Sequence, residues 1–464
     1  MEVHGFSVPE EVRIGAGRRP GLDRQAAGSR ANAAFARKSG RRIHAGGPSQ
    51  WEASTMTSTD LLRLQGLTAW RPAVLVILVF AAVLPWCSPA AAQPMVSDCP
   101  PQGRELVPCG LGFDLCLDVR AEYLLWWTDA MDVPALVTTS PAGTARNQAG
   151  VLGQPGTAVV FGDTGLGDDA RSGGRFAING WFDPCRDFGF ELRYAFLEQE
   201  GSTYMAASED APILARPFLN ADSGAQDAGL IAFPNVAEGN IAIDASTRFG
   251  TAEALLLKTL LAQCGRRLTF RLGYRYALLE DDLTISETMG SAETATAGTT
   301  LDLFDRFAAE NAFHGAQLGL VAQRQMGCWS FELLTSVALG TVHSEVVIDG
   351  TTTTQTATGA SSTAAGGFLA LPTNMGRYER DSFSSLTEVG LKLSYAFGCH
   401  WRASLGYSFL YWSRVARAGD QIDTTLGAGE FPPSQNTASL HPEFGFATTG
   451  FWAQGLNFGV EYRY

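Results

Sequence analysis

Charged side chains that recur at every second position are the first candidates for chemistry in this sequence. Successive side chains of a β-strand point to opposite faces, so charges two residues apart share one face while apolar residues occupy the other. Such charges can line a pore and select solutes, or can pair with one another in a filled interior. The pore-lining candidates are Arg120, Glu122, Glu191, Arg193, Arg267, Arg271, Arg275, Glu332, Glu388, Lys392, Arg402, Glu461 and Arg463.

Three of these arginines form a column. Arg267, Arg271 and Arg275 are four residues apart and therefore share one face of a strand. Carboxylates such as Glu191 and Glu332 can pair with part of this column. A surplus of unpaired arginine predicts a preference for anions, whereas complete pairing predicts a blocked interior. The expected size of the barrel leaves both alternatives open, because barrels of about eight strands are filled by side chains and those of about 16 strands hold a wide channel.

Other chemistries have weaker support in the sequence. The cluster His343-Ser344-Glu345 places neighbouring residues on opposite faces of a strand, so His343 cannot easily activate Ser344. The segment Gly162 to Asp169 offers aspartates as calcium ligands but lacks the register and terminal glutamate of an EF-hand, which favours a solvated turn. We therefore expect no enzyme and no cofactor.

The cysteines permit several arrangements. Cys99 and Cys109 can close a small loop, and the state of Cys116 is open. Four more cysteines fall in predicted short turns at one end of the molecule. Adjacent turns are about 10 Å apart by strand spacing, beyond the limit of about 7 Å for a disulfide, so free thiols and bonds between flexible turns both remain open. These turn cysteines are Cys185, Cys264, Cys328 and Cys399.

The element that must position these charges is a strand, and the clearest strand is the last one. Leu456 to Tyr464 alternates throughout, with Phe458, Val460, Tyr462 and Tyr464 on the apolar face. A terminal amphipathic strand ending in an aromatic residue is typical of outer-membrane barrels. We expect these four residues to act as the assembly signal for the barrel-assembly machinery.

The remaining strands predict an all-β, single transmembrane antiparallel β-barrel. One opening strand, four hairpins and the closing strand give about ten strands, with both termini on the periplasmic side; twelve are possible if a loop hides a pair. Ala252 to Gln263 has the weakest strand pattern, because its leucines and alanines favour a helix. Short periplasmic turns alternate with long outer loops at about 129–173, 199–246, 283–307, 348–382 and 417–450.

Two further expectations concern the outer half of the barrel. Tyr123, Trp126 and Trp127 lie near the far end of the first strand, where an interfacial aromatic belt is expected. Thr351 to Ala365 consists almost entirely of Thr, Ser, Ala and Gly, which predicts mobility.

The N-terminal region predicts export. Arg63 and Arg71 precede the apolar stretch Ala73 to Leu84, and small residues follow it, which together indicate a signal peptide cleaved near Ala92. We interpret residues 1–55 as a non-native or disordered extension, 56–92 as the signal peptide, 93–114 as a periplasmic leader and 115–464 as the barrel. The formal charge of −13 becomes more negative after cleavage, so nucleic acid is not an expected partner.

Several motifs carry a family resemblance. Glu122 to Trp127 with Pro134 to Ser140 matches an opening strand and loop, and Phe451 to Gly459 matches a closing strand. Gly173 to Phe176, with Gly180 to Asp183, is a third match. Across residues 115–464 the chain resembles the seventh family of outer-membrane β-barrel porins. The resemblance implies a barrel in the outer membrane of a double-membraned bacterium and does not identify a substrate.

These observations lead to one functional expectation and one alternative. We expect a narrow, porin-like passive channel that carries small solutes across the outer-membrane lipid. The alternative is a structural or surface-binding barrel with a filled lumen, which acts through its long outer loops. The oligomeric state does not follow from the sequence.

Overall fold

The computed structural model describes residues 116–183, 185–263, 265–292, 297–427 and 441–464, all of which belong to the unit Pro94–Tyr464. The expected extension, signal peptide and leader lie outside the described residues, as do Cys99, Cys109 and Cys264. Among the residues that are described, no helix is long and apolar enough to span a membrane.

Ten long antiparallel strands form the wall of a closed barrel. Their order around the ring is β12-β11-β10-β7-β6-β1-β18-β16-β15-β13, and pairing of β12 with β13 closes it. The wall strands are β1 (Cys116–Thr128), β6 (Arg171–Trp181), β7 (Phe188–Ala207), β10 (Ala237–Gln263), β11 (Arg266–Ser291), β12 (Thr300–Met326), β13 (Trp329–Gln355), β15 (Gly376–Ala396), β16 (Trp401–Val415) and β18 (Thr449–Arg463).

The first and last strands meet as the sequence predicted. β1 and β18 pair from Asp118↔Arg463 to Thr128↔Ala453 in one unbroken register. Ala252 to Gln263, the doubtful segment, is the end of β10 and pairs with β7 and β11, because a strand at this place satisfies the backbone of both neighbours. The all-β class and the ten-strand barrel are therefore confirmed.

The outward face carries a band of exposed apolar side chains, including Phe176, Tyr194, Leu272, Leu405 and Phe458. These side chains alternate with inward residues along every wall strand, as lipid contact requires. Short turns join β6 to β7 and β15 to β16 at the end that also holds the chain terminus, which identifies this end as periplasmic.

The strands extend further outward than the sequence predicted. β10 to β13 contain 26 or 27 residues each, so much of the predicted loops 283–307 and 348–382 is strand. Alternation continues here with polar residues outside, a pattern that composition alone does not distinguish from a loop. Thr351 to Ala365, expected to be mobile, forms a hairpin in which the end of β13 pairs with β14 (Ser361–Ala365).

Short elements of the outer loops form a cap that packs inside the outer part of this wall. A mixed sheet contains β3, β4, β8, β9 and β17, in which β8 pairs with β3, β9 and β17, and β2 pairs with β5. Two 3₁₀ turns, Arg146–Gln148 and Gly419–Gln421, complete the described elements. The short strands are β2 (Met131–Val133), β3 (Val137–Thr139), β4 (Ala158–Phe161), β5 (Thr164–Leu166), β8 (Leu214–Asn220), β9 (Ala225–Ala232) and β17 (Thr425–Leu426).

Candidate functional site in the barrel interior

A cluster of ion pairs crosses the bore, and Glu388 is its centre. The Glu388 carboxylate lies 2.6 Å from an Arg193 guanidinium nitrogen, 2.9 Å from one of Arg275 and 3.6 Å from one of Arg175. Arg193 is on β7 and Glu388 on β15, five strands apart whichever way the ring is followed. This contact therefore joins opposite walls of the barrel.

A second carboxylate shares the same arginines. Glu253 accepts a hydrogen bond from Nε of Arg193 at 2.9 Å, and its carboxylate lies 3.5 Å from Arg275 and 3.6 Å from Arg271. The Gln317 amide donates a 3.0 Å hydrogen bond to the other Glu253 oxygen. Arg271 also binds Glu191 at 2.6 Å. Each arginine of the cluster thus faces at least one carboxylate.

The cluster is buried and balanced in charge. Its side chains are at most 9% exposed, and Arg175 also reaches Glu122 at 3.2 Å. Charges taken out of water are tolerated only when they are paired and hydrogen-bonded. The four arginines are matched by four carboxylates: Arg175, Arg193, Arg271 and Arg275 with Glu122, Glu191, Glu253 and Glu388.

An apolar layer fills the bore on the extracellular side of these charges. The Phe249 and Phe451 rings lie 5.4 Å apart although their strands are four apart in the ring, and Phe313 meets Trp412 edge-on at 5.9 Å. All four are at most 2% exposed. Below them Trp126 donates a 2.7 Å hydrogen bond from Nε1 to Asn457 Oδ1. Trp126 was wrongly predicted to lie in the interfacial belt, because it has the inward parity of Glu122.

A strap of residues 416–421, which follows β16, fills the bore on the extracellular side of the aromatic layer. Ala416 is held by Asn311, which donates to its carbonyl at 2.7 Å and accepts from its N–H at 2.8 Å. Arg417 lies 2.5 Å from Asp281 with both side chains nearly fully buried. A Cβ on Gly419 would meet the Asp132 carbonyl at 1.9 Å, so only glycine fits where the strap touches the first loop.

Asp305 fastens the cap to the wall. Its carboxylate, on β12, lies 2.8 Å from Arg216 of β8. The same carboxylate accepts hydrogen bonds from the backbone N–H groups of 368–370 at 2.8–3.3 Å. Arg216 also faces Glu287 at 3.6 Å and stacks over the Phe368 ring at 4.5 Å. One buried carboxylate therefore holds two outer loops inside the barrel mouth.

The sequence-predicted charges all lie inside the barrel, yet the structure brings only part of them together. Arg193, Arg271, Arg275, Glu191, Glu388 and Glu122 belong to the central cluster. Near the periplasmic end, Lys392 binds Glu332 at 2.8 Å and Arg120 lies 3.7 Å from Glu122. The last group surrounds the periplasmic mouth and consists of Arg267, Arg402, Glu461 and Arg463.

Two central residues escaped the sequence reasoning. Arg175 opens a predicted strand, and Glu253 lies in the segment whose helix propensity obscured its strand parity. Counting by two from Leu255 or Leu257, both buried, places Glu253 inside the barrel. Asp281, Arg417 and Asp305 were missed because their segments were interpreted as loops or rim.

The His343 cluster divides between two faces, as predicted. Ser344 points inward and donates to Asn311 Oδ1 at 2.8 Å, whereas His343 points outward and contacts Asp381 at 2.9 Å. His343, Glu345 and Glu379 bring ligand atoms within 4.8 Å of one another. Arg377 binds both glutamates, so a metal ion would have to displace this guanidinium.

The turn cysteines differ from one another. Cys328 is disulfide-bonded, whereas Cys185 and Cys399 carry free thiols. The turn spacing left both states open, and both occur.

This architecture defines an outer-membrane β-barrel whose interior is occupied by side chains. A family model, Putative beta barrel porin-7, matches residues 119–464, and the chain belongs to that family. The match covers all of the wall except the first residues of β1. No curated protein matches the chain significantly.

Three solved structures are similar to this chain at low identity. The outer membrane protease OmpT from Escherichia coli is 8% identical, covers 75% of this chain and 97% of its own, and gives a TM-score of 0.36. The toluene transporter TodX of P. putida is 10% identical over 75% and 89%, with a TM-score of 0.15. A Pseudomonas aeruginosa FadL homologue is 8% identical over 75% and 90%, with a TM-score of 0.20.

Proposed function

We propose that this protein is a closed outer-membrane barrel that acts through its extracellular cap, not through passive diffusion along its axis. The contact between Arg193 and Glu388 carries this proposal, because it joins opposite walls at 2.6 Å. A solute moving along the axis would have to separate that pair and the contacts that share it.

The pairing pattern supports a filled interior. A selectivity filter works when its charges remain available to the passing ion. In the central cluster, each guanidinium is instead engaged by carboxylates of the wall. The arginine column illustrates this, since Arg271 and Arg275 are paired with Glu191 and Glu388.

Successive layers support the same conclusion. The aromatic layer, the strap at 416–421 and the Asp305 contacts follow one another from the ion pairs toward the outside. Unlike a mobile loop over an open pore, these segments bury apolar side chains such as Phe368 and Leu369. The free energy of that burial opposes opening.

The cap is the surface left for function. Its sheet of β3, β4, β8, β9 and β17 is built from the first, second and last outer loops, and it packs inside the part of the wall that extends beyond the apolar band. Long ordered loops on a rigid scaffold commonly carry binding sites. A ligand-binding or structural role at the cell surface fits this construction.

Conductance in planar bilayers tests the proposal. Purified wild-type protein should give no discrete conductance steps. An Arg193→Ala, Glu388→Ala double variant removes the contact across the bore but leaves the aromatic layer and the strap in place, so it should also stay silent. A purified open porin in the same bilayers shows that the recording detects a channel. Glu280→Gln, on the outer wall, is the matched control and should remain silent. Regular steps from the wild-type protein would replace this proposal with the passive channel.

Deletion of the cap provides the complementary measurement. Replacing 211–235 by a short linker should change adhesion or ligand binding of whole cells while heat-modifiable migration on gels is retained. Unchanged surface contacts would leave the cap without the function proposed for it.

A further inference from the structure

The periplasmic mouth of the barrel has more positive than negative charge. Four arginines reach it from strand ends and a turn: Arg186 between β6 and β7, Arg267 at the start of β11, Arg402 at the start of β16 and Arg463 at the end of β18. Three carboxylates accompany them among the described residues, Asp118, Asp187 and Glu461.

Asp118 and Glu461 are already engaged. Asp118 accepts two hydrogen bonds of 2.9 Å from Arg186, the paired geometry that a guanidinium makes with a carboxylate. Glu461 accepts a 2.6 Å hydrogen bond from Arg463, which also lies 3.9 Å from Asp118. None of the three carboxylates lies within ion-pair distance of Arg267 or Arg402.

Arg402 is the clearest charge without an ion pair among the described residues. The residue is 5% exposed, yet within the described residues its guanidinium donates no hydrogen bond and forms no ion pair. Arg463 and Arg186 lie close enough to repel its charge, and Glu461 and Asp118, which already bind those two arginines, attract it from beyond ion-pair distance. A buried, unpaired charge is costly, so a sequence retains one where something else compensates it.

Arg267 is held in place without a carboxylate. It donates to the Arg186 carbonyl at 3.0 Å and to Thr259 Oγ1 at 3.4 Å, and its guanidinium lies 5.8 Å from the centre of the Trp181 ring. Neutral partners fix its position, and Asp187 and Asp118 attract its charge only from beyond ion-pair distance. An arginine has five N–H donors, and these contacts use one of its nitrogens.

We propose that the periplasmic mouth is a binding site for an oxyanion, held chiefly by Arg402 and Arg267 and bordered by Arg463. The planar guanidinium fork matches phosphate and carboxylate oxygens. Arg402 and Arg267 both have Arg186 and Arg463 as positively charged neighbours, and several arginines around one mouth favour a compact, multiply charged group such as phosphate. The anion supplies the negative charge that the wall lacks at this end.

The same chemistry has two sources in the periplasm. One is a free inorganic anion, and the other is an anionic group on the cell-wall polymer that lies beneath the outer membrane. Either would approach from the periplasmic side. The site therefore stands whether or not the bore above it is closed.

Calorimetric titration of detergent-solubilised, heat-modifiable protein with inorganic phosphate tests the free-anion source. Wild-type protein should bind saturably, and binding should weaken as salt is raised. Arg402→Gln and Arg267→Gln should each weaken binding tenfold or more. Arg248→Gln, on the outer wall and paired with Glu280 at 3.4 Å, is the matched control and should bind like wild type.

Co-sedimentation with purified cell-wall sacculi tests the polymer source. Sacculus binding that is lost in Arg402→Gln, without phosphate binding, would identify the polymer as the ligand. The proposal is overturned if neither phosphate nor sacculi bind, or if binding is the same in wild type, Arg402→Gln and Arg267→Gln. Conductance does not enter either measurement, so failure here is distinguishable from failure of the closed-barrel proposal.

Discussion

Replacing Glu388 by glutamine removes one charge from the central cluster while nearly preserving its shape. Three arginines, Arg193, Arg275 and Arg175, lie within 3.6 Å of the carboxylate. After the change, four arginines face three carboxylates in a region where side chains are at most 9% exposed. Breaking a buried pair on one side costs about 3–5 kcal/mol, because the partner charge stays buried. We expect the free energy of unfolding of the Glu388→Gln variant to be lower than that of wild type by this amount.

Urea unfolding in detergent or lipid, followed by tryptophan fluorescence and heat-modifiable migration, measures this loss. Glu280→Gln is the control, since its pair with Arg248 is exposed on the outer wall. Exposed pairs contribute about 0–1 kcal/mol, so the control should unfold close to wild type.

The difference in unfolding free energy between Glu388→Gln and Glu280→Gln distinguishes a filled interior from an open, hydrated bore. A hydrated, open bore would screen the Glu388 charge, and Glu388→Gln would then resemble Glu280→Gln. A loss below about 1 kcal/mol would refute our reasoning about burial. A loss of several kcal/mol combined with silent bilayers would support the filled interior.

Other predictions concern the cap, the interior and assembly. Asp305→Asn should expose the cap loops to protease on intact cells while heat-modifiable migration is retained. Burial raises the pKa of Glu287, which lies on the wall strand β11 and faces Arg216 of the cap, from 4.5 to about 7. The protein therefore holds a proton at Glu287 while the cap is folded and releases it when the cap unfolds. Cap stability should therefore decrease as pH rises through about 7. Proteolysis of the cap should be faster at about pH 8 than at about pH 5, and Glu287→Gln should remove this difference. Trp126→Phe should cost about 1–3 kcal/mol in urea unfolding, because Asn457 loses a buried partner. Deleting 462–464 should abolish membrane assembly, and normal yield in membrane fractions would contradict the assembly signal.

Much of the fold follows from alternation alone. Parity placed Arg120, Glu122, Glu388 and Glu461 inside and Phe458 outside, because a strand offers no other choice once one face meets lipid. The same parity predicts that Trp126 also faces inward, because Trp126 shares the face of Glu122. The outer extension of the wall was hidden for a different reason: above the lipid, an outward face is polar, and polar alternation resembles a loop.

The pairing inside the bore could not be predicted from the same rule. Arg267, Arg271 and Arg275 are equivalent in spacing, yet they have three different environments. Arg271 meets Glu191 from a strand two positions away in the ring, and Arg275 meets Glu388 three positions away. Arg267 meets a backbone carbonyl and an aromatic ring. Alternation assigns a face, but partners across a bore depend on ring size and on the height at which each strand places its charge. Those quantities depend on the register of all ten strands. The balance of charge at the centre and the excess of positive charge at the mouth are therefore properties of the closed barrel, not of any one strand.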